Sequence, residues 1–151
     1  MALSPRRQVI WTEVNYALNE AAERGKIVCI NAGTTSAGEV TGLATATGLY
    51  VYPVGMLLDD VESMNYDRHP QYLQRNVSDI GSVVGIAPKG DFETNLIVGT
   101  PVAGKPAYLG ASGYVSANLL LDGSTGKNSP IVGYWRTVKN ANGFALVHID
   151  L

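Results

Sequence analysis

Apolar positions along this chain come in short bursts, each closed by turn residues, and three of the bursts share one signal. Val54-Gly55-Met56, Val84-Gly85-Ile86 and Val132-Gly133-Tyr134 each pass from a β-branched residue through glycine to a large side chain. Lys26 to Ala32 is rich in Ile and Val and reads as a strand. Leu49 to Leu58 reads as another, with Pro53 implying an edge position or a bend. Further on, Ser82 to Ala87 and Phe92 to Val98 flank Pro88-Lys89-Gly90-Asp91, a hairpin pattern. Lys105 to Leu109 and Tyr114 to Ala117 flank Gly110-Ala111-Ser112-Gly113 in the same way. Ile131 to Val138 and Phe144 to Leu151 flank Lys139-Asn140-Ala141-Asn142-Gly143. In the last run Phe144, Leu146, His148 and Asp150 alternate with Ala145, Val147, Ile149 and Leu151, as in a strand docked in a sheet. The expectation is a mainly β fold: a small β-sandwich or β-barrel of short strands and hairpins, an extended N-terminal arm and at most one short helix.

The first residues are less regular. Met1 to Gln8 holds Pro5, Arg6 and Arg7 without apolar periodicity and reads as an arm. Ile10, Thr12, Val14, Tyr16 and Leu18 alternate like one strand face, while Val14, Leu18, Ala21 and Ala22 fit a helical one. ALNEAAER at 17–24 favours a short helical turn with Gly25 as its stop. This divides the chain into an arm with a helical turn over 1–24 and one β domain over 25–151. Gly33 to Gly48 is a Gly/Thr/Ser/Ala run that reads as a loose hairpin or a loop. Asp122 to Ser129 is a polar loop. The main excursion from the β pattern spans 62–79, a connection long enough to carry function.

Composition narrows the classes. The 151 residues are 46 % hydrophobic and only 16 % charged, with a net charge of −2, against about a quarter charged in average domains. Nucleic-acid binding would need clustered Lys and Arg, and Arg6-Arg7 is the only adjacent basic pair. Cys29, the sole cysteine, lies in an apolar run and reads as a buried thiol; an internal disulfide is excluded. The N-terminus has charges without a following apolar region, so no signal peptide is expected, and no apolar run is long enough for a spanning helix. A soluble protein made in a reducing cytosol is expected.

Candidate chemistry is sparse. Asp59-Asp60 with Glu62 is the densest acidic group, but neighbouring strand residues point to opposite faces, which suits a polar strand end better than a metal site. His148 reads as a partly buried structural imidazole. No G-x-S-x-G elbow is present. Gly123-Ser124-Thr125-Gly126-Lys127-Asn128 lacks the spacing, the Ser or Thr after Lys and the following helix of a phosphate loop. Asn76-Val77-Ser78 has the form of a glycosylation sequon without a secretory context. The excursion, by contrast, holds Tyr66, Arg68, His69, Tyr72 and Arg75, and Tyr and Arg are typical interface anchors. Together with Arg6, Arg7, Trp11 and Tyr16 they form the expected contact set. No catalytic residue, metal or cofactor is expected.

Four passages resemble head decoration, or cement, proteins of tailed bacteriophages: EVNYALNEAAERGKIV (13–28), PVGMLLDDV (53–61), HPQYLQRNVSDIGSVVGI (69–86) and GFALVHIDL (143–151). They occur in the family's order, and the segments 33–48 and 122–129 match nothing in it. The resemblance implies a non-enzymatic virion protein on the outer surface of an expanded capsid. Its partners would be the major capsid protein and two further copies of itself, with no direct nucleic acid and no membrane. An arm adding a strand to a partner's sheet would suit that role. The alternative is a virion-associated glycan-binding or host-attachment module, which exposed tyrosines on a β scaffold would also serve.

Overall fold

The computed structural model describes residues 3–30, 40–43, 52–63, 77–119 and 128–151, and the fold is mainly β. In chain order the strands are β1 (Leu3–Leu18), β2 (Ile27–Ile30), β3 (Val40–Leu43), β4 (Tyr52–Leu57), β5 (Asp60–Glu62) and β6 (Val77–Asp79). They continue with β7 (Val83–Thr94), β8 (Ile97–Val98), β9 (Pro106–Leu109), β10 (Val115–Ser116), β11 (Ile131–Trp135) and β12 (Ala145–Asp150). The one helical element among the described residues is a 3-10 turn at Ala111–Gly113.

Ten strands form one curled sheet in the order β1-β3-β2-β4-β7-β12-β11-β9-β10-β8, and β1 pairs with β7 as well. That extra pairing closes β1, β3, β2, β4 and β7 on themselves, giving a small barrel-like end from which β12, β11, β9, β10 and β8 continue as an open sheet. The pair β5–β6 is parallel and stands apart, with Asp60 opposite Val77 and Glu62 opposite Asp79. The ends of the 62–79 excursion are therefore tied side by side.

The Val/Ile-rich runs are apolar throughout because the strands they form are buried on both faces. Ile27, Cys29, Met56, Ala87 and Phe92 enter one core, where they meet Leu109, Val132, Trp135, Val147 and Ile149. Their chain neighbours Val28, Leu57 and Ile86 enter a second core with Leu18, Val61 and Val84. Successive residues of β2, β4 and β7 thus feed opposite cores, as the two-residue period of a strand requires. Two glycines of the repeated signal let backbones approach closely. A Cβ on Gly55 would stand 2.6 Å from the Ala87 carbonyl oxygen, and one on Gly133 would collide with the His148 carbonyl oxygen.

Several expectations change. The 82–98 segment is no hairpin: β7 runs unbroken through Pro88-Lys89-Gly90-Asp91. Pro88 is accommodated because β7 changes neighbours there. β4 pairs up to Ala87, β12 begins at Lys89, and the ladder to β1 slips between Lys89 and Ile86. No hydrogen bond in these ladders calls on the missing N–H. The helical turn expected over 17–24 is absent. Ala17 and Leu18 end β1, Ala22 exchanges two backbone hydrogen bonds with Val61 (2.9 and 2.7 Å), and Gly25 turns the chain at φ 92°. A helix this short has too little intrinsic stability to compete with such pairing. The extended arm is β1 itself, antiparallel to β7 from Leu3 opposite Thr94 to Ala17 opposite Val83. Ile10 and Thr12 are exposed while Leu18 is buried, because slips in the ladder turn one alternating series to different faces.

The other two hairpins form as read. β9 and β10 pair antiparallel around Gly110–Gly113, with Gly113 at φ 78°. β11 and β12 pair around a loop in which Asn140 Oδ1 accepts the N–H groups of Asn142 and Phe144, both at 3.0 Å. Pro53 falls where the β2–β4 register slips and beyond the two residues by which β4 touches β7, so it is a bend at a half-open edge. β3 pairs antiparallel with β2, and the rest of 33–48 lies outside the described residues. Cys29 is buried.

Candidate functional site

Polar side chains converge where β7, β12 and β11 lie side by side. Asp91 is opposite His148, and His148 is opposite Tyr134. In the next row Phe92, Val147 and Trp135 are opposite one another and fully buried. One face of these strands is thus core, and the other carries the polar row. His148 Nδ1 lies 2.6 Å from Asp91 Oδ1, and the ring is 4.9 Å from that of Tyr134. His148 is only 8 % exposed although it is on the outer face, because Asp91 and Tyr134 cover it.

Arg136 completes the group. Its backbone is held by the Leu146 carbonyl at 2.9 Å, so the guanidinium turns back over the sheet. Nε reaches Asp91 Oδ1 at 3.2 Å, Nη2 donates to the Tyr134 hydroxyl at 3.3 Å, and the cation lies 5.7 Å from the Tyr134 ring centre. Lys89 and Asp150 pair at 2.9 Å on the same face. Lys89 holds the Asp150 carboxyl below its ordinary value, first by its hydrogen bond and then by its charge. Each of these charges has a partner inside the group. The arrangement ties three strands together and presents a tyrosine against an arginine, and Ile131 is exposed at the start of the same strand. Tyr and Arg are the residue types enriched among the anchors of protein interfaces.

A second feature is an open groove of about 440 Å³ between the 21–26 segment and β5, lined by Ala21, Glu23, Lys26, Asp60 and Glu62 among others. Asp60 accepts from the Arg24 backbone N–H at 2.8 Å and lies 3.9 Å from its Nε. Asp60 is therefore a strand-end carboxylate fastened to the turn at Arg24. Among the described residues no group of three or more His, Cys, Asp or Glu is arranged to hold a metal ion, and no helix is long and apolar enough to cross a membrane.

Of the contact residues expected from sequence, Arg6, Arg7 and Trp11 lie on β1, with Arg7 opposite Phe92 and Trp11 opposite Lys89. Tyr16 is half-buried against the second core. Tyr66, Arg68, His69, Tyr72 and Arg75 lie outside the described residues. Asp91, Tyr134 and Arg136 were not singled out from sequence, because Asp91 is 57 residues from His148 and only strand pairing unites them. The alternation that sets His148 and Asp150 on one face of the last strand was the available signal. The chain matches no protein-family model, and comparison with curated proteins finds no relative.

Proposed function

We propose that this protein is a structural, non-enzymatic component of a bacteriophage virion. It binds the outside of the expanded capsid and stabilises contacts between major capsid protein subunits, acting as a trimer after synthesis in the host cytoplasm. The observation that supports this reading is where the passages resembling head decoration proteins fall. Residues 13–28 supply the end of β1 and the first half of β2, 53–61 most of β4 and the start of β5, and 143–151 all of β12. The described part of 69–86 supplies β6 and the start of β7. The resemblance therefore runs through strands that contribute to each of the two cores, as a shared fold would require, while β9, β10 and β11 lie outside it. The Tyr134–Arg136 face is a contact surface suited to a protein partner.

The test is sedimentation of purified protein with expanded capsid shells stripped of surface proteins, with unexpanded shells as the control. Saturable binding to expanded shells and a higher shell melting temperature are expected. Binding to host polysaccharide with no affinity for shells would overturn the reading in favour of a glycan-binding attachment module.

A further inference from the structure

We propose that residues 3–13 of β1 exchange between copies of this chain, so that this segment of one copy lies on β7 of another. The proposal concerns how copies associate and does not rest on the capsid reading.

The comparison that carries it is internal to β7, which is flanked by β12 on one side and β1 on the other. Along Lys89–Thr94 the ladder to β12 runs through six consecutive residue pairs without irregularity. The ladder to β1 slips four times, between Leu3 and Arg7, Val9 and Trp11, Trp11 and Glu13, and Glu13 and Tyr16. Each slip interrupts the regular exchange of N–H and C=O groups and weakens the pairing. Residues 3–13 also have only one neighbouring strand among those described, because the pairing of β1 with β3 begins at Ala17.

The end of β1 is held quite differently. Tyr16 and Ala17 pair with Val84 and Val83 on one side, while Ala17 and Leu18 pair with Val40 and Thr41 on the other. Leu18 is fully buried, its carbonyl accepts from the Gly81 N–H at 2.7 Å, and its own N–H reaches the Ser82 carbonyl at 3.3 Å. Between the two parts, β1 advances three residues, Glu13 to Tyr16, while β7 moves two, Ile86 to Val84. That extra residue makes Val14-Asn15 a natural hinge between a lightly held segment and a firm anchor.

When residues 3–13 leave β7, they uncover a backbone edge and a place in the first core that Val9 had filled. The segment that matches this slot is the same segment of a second copy. Exchange restores every pairing in the new setting, so it costs only association entropy and hinge adjustment, and protein concentration drives it.

The test uses opposed positions, since partners across antiparallel strands lie within reach of a disulfide. A copy carrying Trp11→Cys is refolded with a copy carrying Lys89→Cys at high concentration and then oxidised. A second mixture pairs Gln8→Cys with Asp91→Cys, in the unbroken stretch where Arg7, Gln8 and Val9 face Phe92, Asp91 and Gly90. Each mixture is expected to yield a disulfide-linked pair at least ten times more abundant than either variant yields alone, which also controls for Cys29. Failure of both mixtures to link overturns the proposal, most directly if the two substitutions placed in one chain close within it. Trp11→Cys copies linking to each other would overturn it too, as the mark of edge-to-edge pairing. A chain that does not exchange and still binds expanded shells would leave the functional reading standing.

Discussion

The three Val-Gly-apolar signals are alike in sequence, yet the structure assigns them unlike tolerances. An alanine methyl at Gly55 would lie 2.6 Å from the Ala87 carbonyl oxygen and 2.7 Å from Ile86 Cγ2, whereas ordinary contact starts at 3.4 Å. β4 or β7 must therefore retreat by about 0.8 Å at a place where both strands are buried on two faces and cannot move without loosening a core. Overpacking of this kind costs about 1–3 kcal/mol. Gly55→Ala belongs at the upper end of that range, because the obstacle is backbone. Gly133→Ala meets the His148 carbonyl more closely still and should cost at least as much. At Gly85 the nearest atom to an added Cβ is Asp59 Oδ2 at 3.6 Å. Gly85→Ala should be neutral or stabilise by about 0.5 kcal/mol, through the smaller entropy of the unfolded chain. Urea unfolding of the three variants at a common m-value reads these differences as midpoint shifts. The reasoning fails if Gly55→Ala and Gly133→Ala stay within about 0.5 kcal/mol of the parent, or if Gly85→Ala is as damaging as they are.

Two further outcomes follow from the polar face. Asp91→Ala removes the acceptor of both His148 Nδ1 and Arg136 Nε and should destabilise by about 1–3 kcal/mol, whereas Lys89→Met at the exposed, solvent-screened pair should cost clearly less; equal losses in urea unfolding would refute that ranking. Because the Asp150 carboxyl is held below its ordinary value by Lys89, its contribution is present above the unfolded pKa and is lost as pH falls through the folded one. A titration of carboxyl carbon chemical shifts should place Asp150 below an ordinary aspartate and move it upward in Lys89→Met; an unmoved midpoint would count against the pairing in solution.

Strand character was legible from the sequence wherever a run of Val, Ile and Leu ended in turn residues. Such runs report burial, and burial follows from side-chain chemistry alone. The last strand shows this best: its alternation set Ala145, Val147 and Ile149 on one face and His148 with Asp150 on the other, and the structure buries the first set. The turns at 110–113 and 139–143 were readable for a similar reason, since glycine and asparagine satisfy local backbone demands that need no distant partner. Pro88-Lys89-Gly90-Asp91 was misleading because turn propensity is local, while the pairing that holds β7 straight comes from β1, β4 and β12. The segment 17–24 misled in the same way, its helical composition yielding to the bridge between Ala22 and Val61. Which glycines are indispensable, which strands bury both faces and which charges meet Asp91 depend on residues far apart in the chain. Backbone approach and cross-strand registry exist only once the sheet has curled, so the tertiary structure alone decided them.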